Sequence, residues 1–164
     1  MVLADTNIPS TFAKIDELPL LMRLFAEEGM GVVPAVYEEL HQGVSKGYVV
    51  LQAAMELVQR RHIELVVPNA EETLGKSALP PSFDAGERET IAVAQARGTK
   101  ILTNERLVKN RRQQVGIQYW DLPGILRALW RTHLLTKEQV HSLVTQIEAK
   151  DRIVFRDQDQ IFAE

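Results

Sequence analysis

The stretch Val2-Leu3-Ala4-Asp5-Thr6-Asn7 decides the reading of this chain. Three apolar residues long enough for a buried strand run directly into a carboxylate and two small polar residues. A carboxylate at the end of a buried strand is costly to desolvate unless something compensates it. An N-cap on the next helix is the modest explanation for Asp5, and a ligand site is the sharper one. Further short apolar runs follow at Gly31-Val32-Val33, Ile63 to Val67 and Lys100 to Thr103, with a possible edge strand at Ile117-Gln118-Tyr119. Between them lie segments of helical period: 17–28 ended by Gly29, Pro34 to His41, 47–60, Glu87 to Arg97 closed by Gly98, and a basic helix from Glu105 to Gln114. Residues 68–83, with Pro68, Asn69, Gly75, Pro80 and Pro81, read as a loop with room for one helical turn. Two more helices are expected over 122–133 and 136–149, and Ile153, Val154, Phe155, Ile161 and Phe162 are docking points of the tail.

Strands alternating with helices predict an α/β fold, a three-layer α/β/α sandwich on a mostly parallel sheet of four to five strands. The expected division is a domain over 1–120 and a helical extension over 121–164 packed on it. Parallel order places every strand C-terminus at one edge, and ligand sites of such sheets lie outside that edge.

The length of 164 residues suits one domain with an extension, and 45% hydrophobic residues suffice for a core. The absence of cysteine excludes disulfides, thiolate metal sites and a cysteine nucleophile. No run approaches the roughly 20 apolar residues of a membrane helix. The opening residues carry no basic-then-apolar leader, so a cytoplasmic location is expected. A formal charge of −3 argues against broad coating of nucleic acid, though not against contact through one local basic face.

Four acids fall near the predicted sheet edge: Asp5 after the first strand, Glu39 on the helix after the second, Glu87 at the start of the helix before the fourth, and Glu105 just after it. Like charges gathered together repel, and a hard divalent cation removes that cost. Such a site can activate water against a phosphodiester. An aspartyl-phosphate enzyme using Asp5 is less suitable, because Asn7 stands where such enzymes typically carry a second Asp. From Arg97 to Arg112 the chain carries six cations and one Glu. Arg106, Lys109 and Arg112 are the candidate RNA contacts, by phosphate rather than by sequence.

These residues resemble the PIN domain, the metal-dependent ribonuclease fold of VapC toxins in bacterial toxin–antitoxin pairs. Val2 to Asn7 is similar to its first motif. Val33-Pro34-Ala35-Val36-Tyr37-Glu38-Glu39-Leu40 resembles the second, with the acid before Leu, Glu39, in the functional place. Ala85-Gly86-Glu87-Arg88-Glu89-Thr90-Ile91-Ala92-Val93-Ala94 resembles the third, in the Gly-Glu form of one PIN subgroup of unknown function. Ile101-Leu102-Thr103-Asn104-Glu105 resembles the fourth, but Asn104 and Glu105 stand where that subgroup usually has two Asp residues. The resemblance implies catalytic roles for Asp5, Glu39, Glu87 and Glu105, and Mg²⁺ or Mn²⁺ held by Asp5, Glu87 and Glu105. Thr6, Asn7, Thr103 and Asn104 would support them. It implies an RNA substrate, an antitoxin partner and a homodimer. The departure at Asn104-Glu105 keeps a second reading open, a catalytically degenerate PIN scaffold that binds RNA or protein. Asp84 is a spare acid near Glu87, or the N-cap of its helix.

Overall fold

The computed structural model describes residues 1–104 and 116–164. The basic helix expected over 105–114, and with it Glu105, Arg106, Lys109 and Arg112, lies outside the described residues.

Five strands form one sheet in the order β3-β2-β1-β4-β5: β1 (Val2–Ala4), β2 (Met30–Val32), β3 (Glu64–Leu65), β4 (Lys100–Leu102) and β5 (Tyr119–Trp120). Every pairing is parallel, with Leu3 opposite Gly31 on one side and Ile101 on the other. The three-layer α/β/α expectation is met, and the parallel character is complete rather than partial. Residues 2–4 are all buried because β1 is central and covered on both faces.

Helices α1 (Asn7–Lys14), α2 (Leu18–Leu24), α3 (Pro34–Ser45), α4 (Gln52–Gln59), α5 (Ala70–Ser77) and α6 (Ala85–Arg97) connect the strands. Several elements differ from the sequence reading, among them α1, an eight-residue helix not expected there, and β5, found at Tyr119–Trp120 rather than over 117–119. The 47–60 segment divides into a 3-10 turn, Val49–Leu51, and α4. The third strand keeps only two ladder residues of the expected five, because its pairing to β2 ends at Leu65. The loop expected over 68–83 holds an eight-residue helix, α5. Its start is fixed by a capping box in which Asn69 accepts from the Glu72 N–H and Glu72 accepts from the Asn69 N–H.

After the sheet come α7 (Leu122–Arg131), α8 (Lys137–Lys150) and α9 (Asp159–Phe162). Leu122, Ile125, Leu126, Leu129, Val140, Val144 and Ile147 are buried in the same core cluster as β1 and β4. Asp151 at the end of α8 accepts from Thr11 and pairs with Lys14 at 2.5 Å, tying α8 to α1. In the tail Ile161 is fully buried and the Trp130 indole N–H donates to its carbonyl, but Val154 is 73% exposed and docks nothing. No helix among the described residues is long and apolar enough to cross a membrane.

Candidate active site

The strand order turns at β1: β2 lies on one side and β4 on the other, which opens a crevice at the carboxyl end of β1. Asp5 sits there, its N–H donating to the Leu102 carbonyl of β4. Its side chain is buried, yet it is held entirely by neutral donors. The Thr6 N–H donates to Oδ1 at 2.8 Å. The Asn7 amide and the Thr103 hydroxyl donate to Oδ2 at 3.2 and 3.0 Å. Asn7 in turn accepts from the Asn104 N–H at 2.9 Å, so the ends of β1 and β4 are stitched together around the carboxylate.

Glu39 reaches the same place from the second turn of α3. Its Oε2 accepts from the Thr6 hydroxyl, and its Oε1 from the Gly86 N–H at 2.9 Å. One residue, Thr6, therefore bridges Asp5 through its backbone and Glu39 through its side chain. Glu38 is exposed and lies near His41 instead, since consecutive helical residues face different ways.

Helix α6 begins beside Glu39. Asp84 is its N-cap, accepting from the Glu87 N–H at 2.8 Å, and Glu87 Oε2 returns the bond to the Asp84 N–H at 2.9 Å. Glu87 thus occupies the third position of a capping box and is buried. Gly86, at the second helical position, permits the close approach of Glu39. A Cβ there would lie 2.6 Å from both carboxylate oxygens, so no other residue fits without displacing Glu39.

The electrostatics follow from this crowding. Burial pushes the Asp5 carboxyl up to about 6, partly opposed by the Thr6 and Thr103 hydrogen bonds and reinforced by the charges of Asp84 and Glu39. Glu39 is also raised, first by burial and then by Asp84, against the Thr6 and Gly86 hydrogen bonds that favour its charged form. Asp84 therefore acts twice, capping α6 and bearing electrostatically on both acids. Neither Asp5 nor Glu39 has a cationic partner among the described residues.

The donor set is all oxygen, which suits a hard divalent cation. Among the described residues no three Asp, Glu or His side chains converge as a metal cage. Mg²⁺ commonly takes only one or two carboxylates and completes its shell with water and phosphate oxygens. Asp5 and Glu39, joined through Thr6, fit that requirement.

Two residues of this site escape a reading by chemistry along the chain. Gly86 carries no reactive group; its only signal is a glycine inside the first helical turn, where it costs helix stability unless something needs the space. Glu89 is buried, accepts from the Ala35 N–H at the start of α3 and pairs with Lys76 at 2.7 Å. It fixes α3, and so Glu39, against α6.

A parallel α/β sheet with an oxygen-only acidic crevice at its topological switch point is an arrangement that suits a hard divalent cation. The chain belongs to the PIN-domain family DUF3368, whose model matches residues 1–162. PIN domains are in general nucleases that bind RNA, hydrolyse nucleic acid and use divalent metals. No curated protein matches the chain.

Proposed function

We propose that this protein is a Mg²⁺- or Mn²⁺-dependent endoribonuclease that hydrolyses RNA phosphodiesters. The observation that carries the reading is Asp5, a buried carboxylate at the end of β1 with two further acids bearing on it and no cation among the described residues to balance it. Asp5 and Glu39 would hold the cation, with Glu87 and, from the sequence, Glu105 as the further acids. A bound divalent cation would neutralise the acids and stabilise charge on the phosphate and leaving oxygen.

The chain's own residues supply the rest. Thr6 and Gly86 hold Glu39 in one orientation. Glu39, raised by burial in the metal-free chain, would hold the cation and orient the attacking water, whose proton passes to solvent. The water oxygen bonds to phosphorus as the bond from phosphorus to the leaving ribose oxygen breaks. Thr103 and Asn7 keep Asp5 from turning away. From the resemblance of its motifs to those of VapC toxins we also infer that it is a cytoplasmic homodimer and the toxin of a toxin–antitoxin pair.

The test is cleavage of RNA by the parent and Asp5→Asn, with and without EDTA. Metal-dependent cleavage lost in the variant is the expected result. Equal, metal-independent cleavage by both would overturn it. Asn104 favours a second reading, a scaffold that binds RNA or protein without catalysis, because its neutral side chain stands where an acid is usual in the Gly-Glu subgroup. RNA binding by a parent that does not cleave in Mg²⁺ or Mn²⁺, with cleavage gained by Asn104→Asp, would establish that alternative.

A further inference from the structure

An acidic crevice in a chain of net charge −3 repels the phosphates on either side of a scissile bond, so something local must hold them. Of the cations that the sequence offers near the site, two are engaged elsewhere. Arg97 clasps Glu72, and Lys100 faces Glu28 at 4.0 Å. Two other cations, Lys76 and Arg88, share one cavity. Beside the crevice lies a surface cavity of about 310 Å³ whose wall includes Ala35, Lys76, Ala85, Arg88 and Glu89. Ala35 is one helical turn before Glu39, and Ala85 lies between Asp84 and Gly86 in the chain, so the cavity lies at the N-terminal ends of α3 and α6, the helices that carry Glu39 and Glu87.

Lys76 is held at this cavity by buried Glu89, whose other oxygen is fixed by the Ala35 N–H. Arg88 is half-buried and makes no side-chain hydrogen bond or ion pair among the described residues. A guanidinium without a carboxylate partner, next to a cluster of acids, presents a forked donor set suited to a phosphate. The only carboxylate on the cavity wall among the described residues, Glu89, is already satisfied by Lys76 and Ala35.

We propose that this cavity takes a backbone phosphate of the RNA strand next to the scissile one, with Arg88 as a substrate-positioning residue and Lys76 beside it. The inference rests on the ribonuclease reading and adds where the strand runs: across the N-terminal ends of α3 and α6. It assigns strand contact to residues outside the 97–112 basic stretch.

The test uses the full chain and a 2′-O-methyl RNA dodecamer, which binds without being cleaved, with affinity followed by fluorescence anisotropy across a salt series. Arg88→Gln is expected to weaken binding about fivefold and to lower the slope of log affinity against log salt by about 0.7, one single-strand phosphate contact. Arg88→Lys should keep most of the slope, and Arg131→Gln, on α7, should change neither quantity. Melting of each variant verifies the fold, and Lys76→Gln provides a second route should Arg88→Gln be unfolded. Unchanged affinity and slope in both Arg88→Gln and Lys76→Gln would overturn the proposal, as would a parent that does not bind the oligonucleotide. If the parent cleaves RNA and these variants bind normally, the phosphate site fails and the ribonuclease reading stands. If the parent does not cleave but binding depends on Arg88, the reverse holds.

Discussion

Both ends of helix α6 meet acids from neighbouring elements, and the two ends are handled in opposite ways. Near its C-terminus Arg97 grips Glu72 of α5 through Nε at 2.6 Å and Nη2 at 2.9 Å, and the arginine holds the Glu72 carboxyl below its ordinary range. Near its N-terminus Asp84 bears on Glu39 and Asp5 with no cation among the described residues, and both carboxyls rise. The first arrangement is complete within the chain and serves stability. The second leaves the charge of Asp5 and Glu39 without a cation among the described residues, and such imbalance suits a site that takes a ligand. Burial alone does not separate the two; the partner does.

The largest effect should come from the open end. Asp5→Asn or Glu39→Gln is expected to lower RNA cleavage by at least about a hundredfold, measured as initial rates in Mn²⁺ at saturating enzyme. A variant retaining most of the parent rate would place the chemistry elsewhere.

Next in size is a pH dependence with a sign opposite to that of a salt-bridged acid. Asp5 is raised from 3.8 to about 6 in the folded chain. Its contribution is fully present below pH 4 and is lost as pH rises through 6, about 3 kcal/mol in metal-free protein. Denaturant melts in EDTA should therefore lose stability over that window, and Asp5→Asn should flatten the loss. Glu72 runs the other way, since its lowered carboxyl favours the fold above its unfolded value and loses that contribution as pH falls.

Breaking the closed end should cost stability and spare chemistry. Arg97→Ala leaves Glu72 buried without its guanidinium and is expected to destabilise by about 2 kcal/mol, while cleavage per folded molecule stays near the parent value. Loss of cleavage in a folded Arg97→Ala protein would erase the distinction between the two ends.

The smallest change in stability should come from Glu87→Gln. Glutamine preserves the capping box, so the cap's share of the stability should move by less than about 0.5 kcal/mol. Its lost charge should still weaken Mn²⁺ binding roughly tenfold; unchanged metal affinity would assign Glu87 to the cap alone.

The same contrast explains what the sequence disclosed. Val2 to Asp5 could be read as strand and site together, because an apolar run ending in a carboxylate is a local pattern. The parallel sheet followed from alternation. Helix α5 was obscured by Pro68, Gly75, Pro80 and Pro81, although the Asn69 and Glu72 of its capping box were visible at the right spacing. Arg97 reads as part of a basic stretch, yet its partner is 25 residues away and only packing of α5 on α6 brings them together. The double role of Asp84 and the space left by Gly86 are likewise tertiary. They depend on α3 and α6 meeting, which no local spacing encodes.

The central claim is that Asp5 and Glu39, which have no cationic partner among the described residues, are completed by a divalent cation. Calorimetric titration of Mn²⁺ into the apo-protein at pH 7.5, beside Asp5→Asn, tests it most directly. The predicted result is saturable binding by the parent that is lost in the variant. Absence of binding by the parent at millimolar Mn²⁺, or equal binding by both proteins, would contradict it.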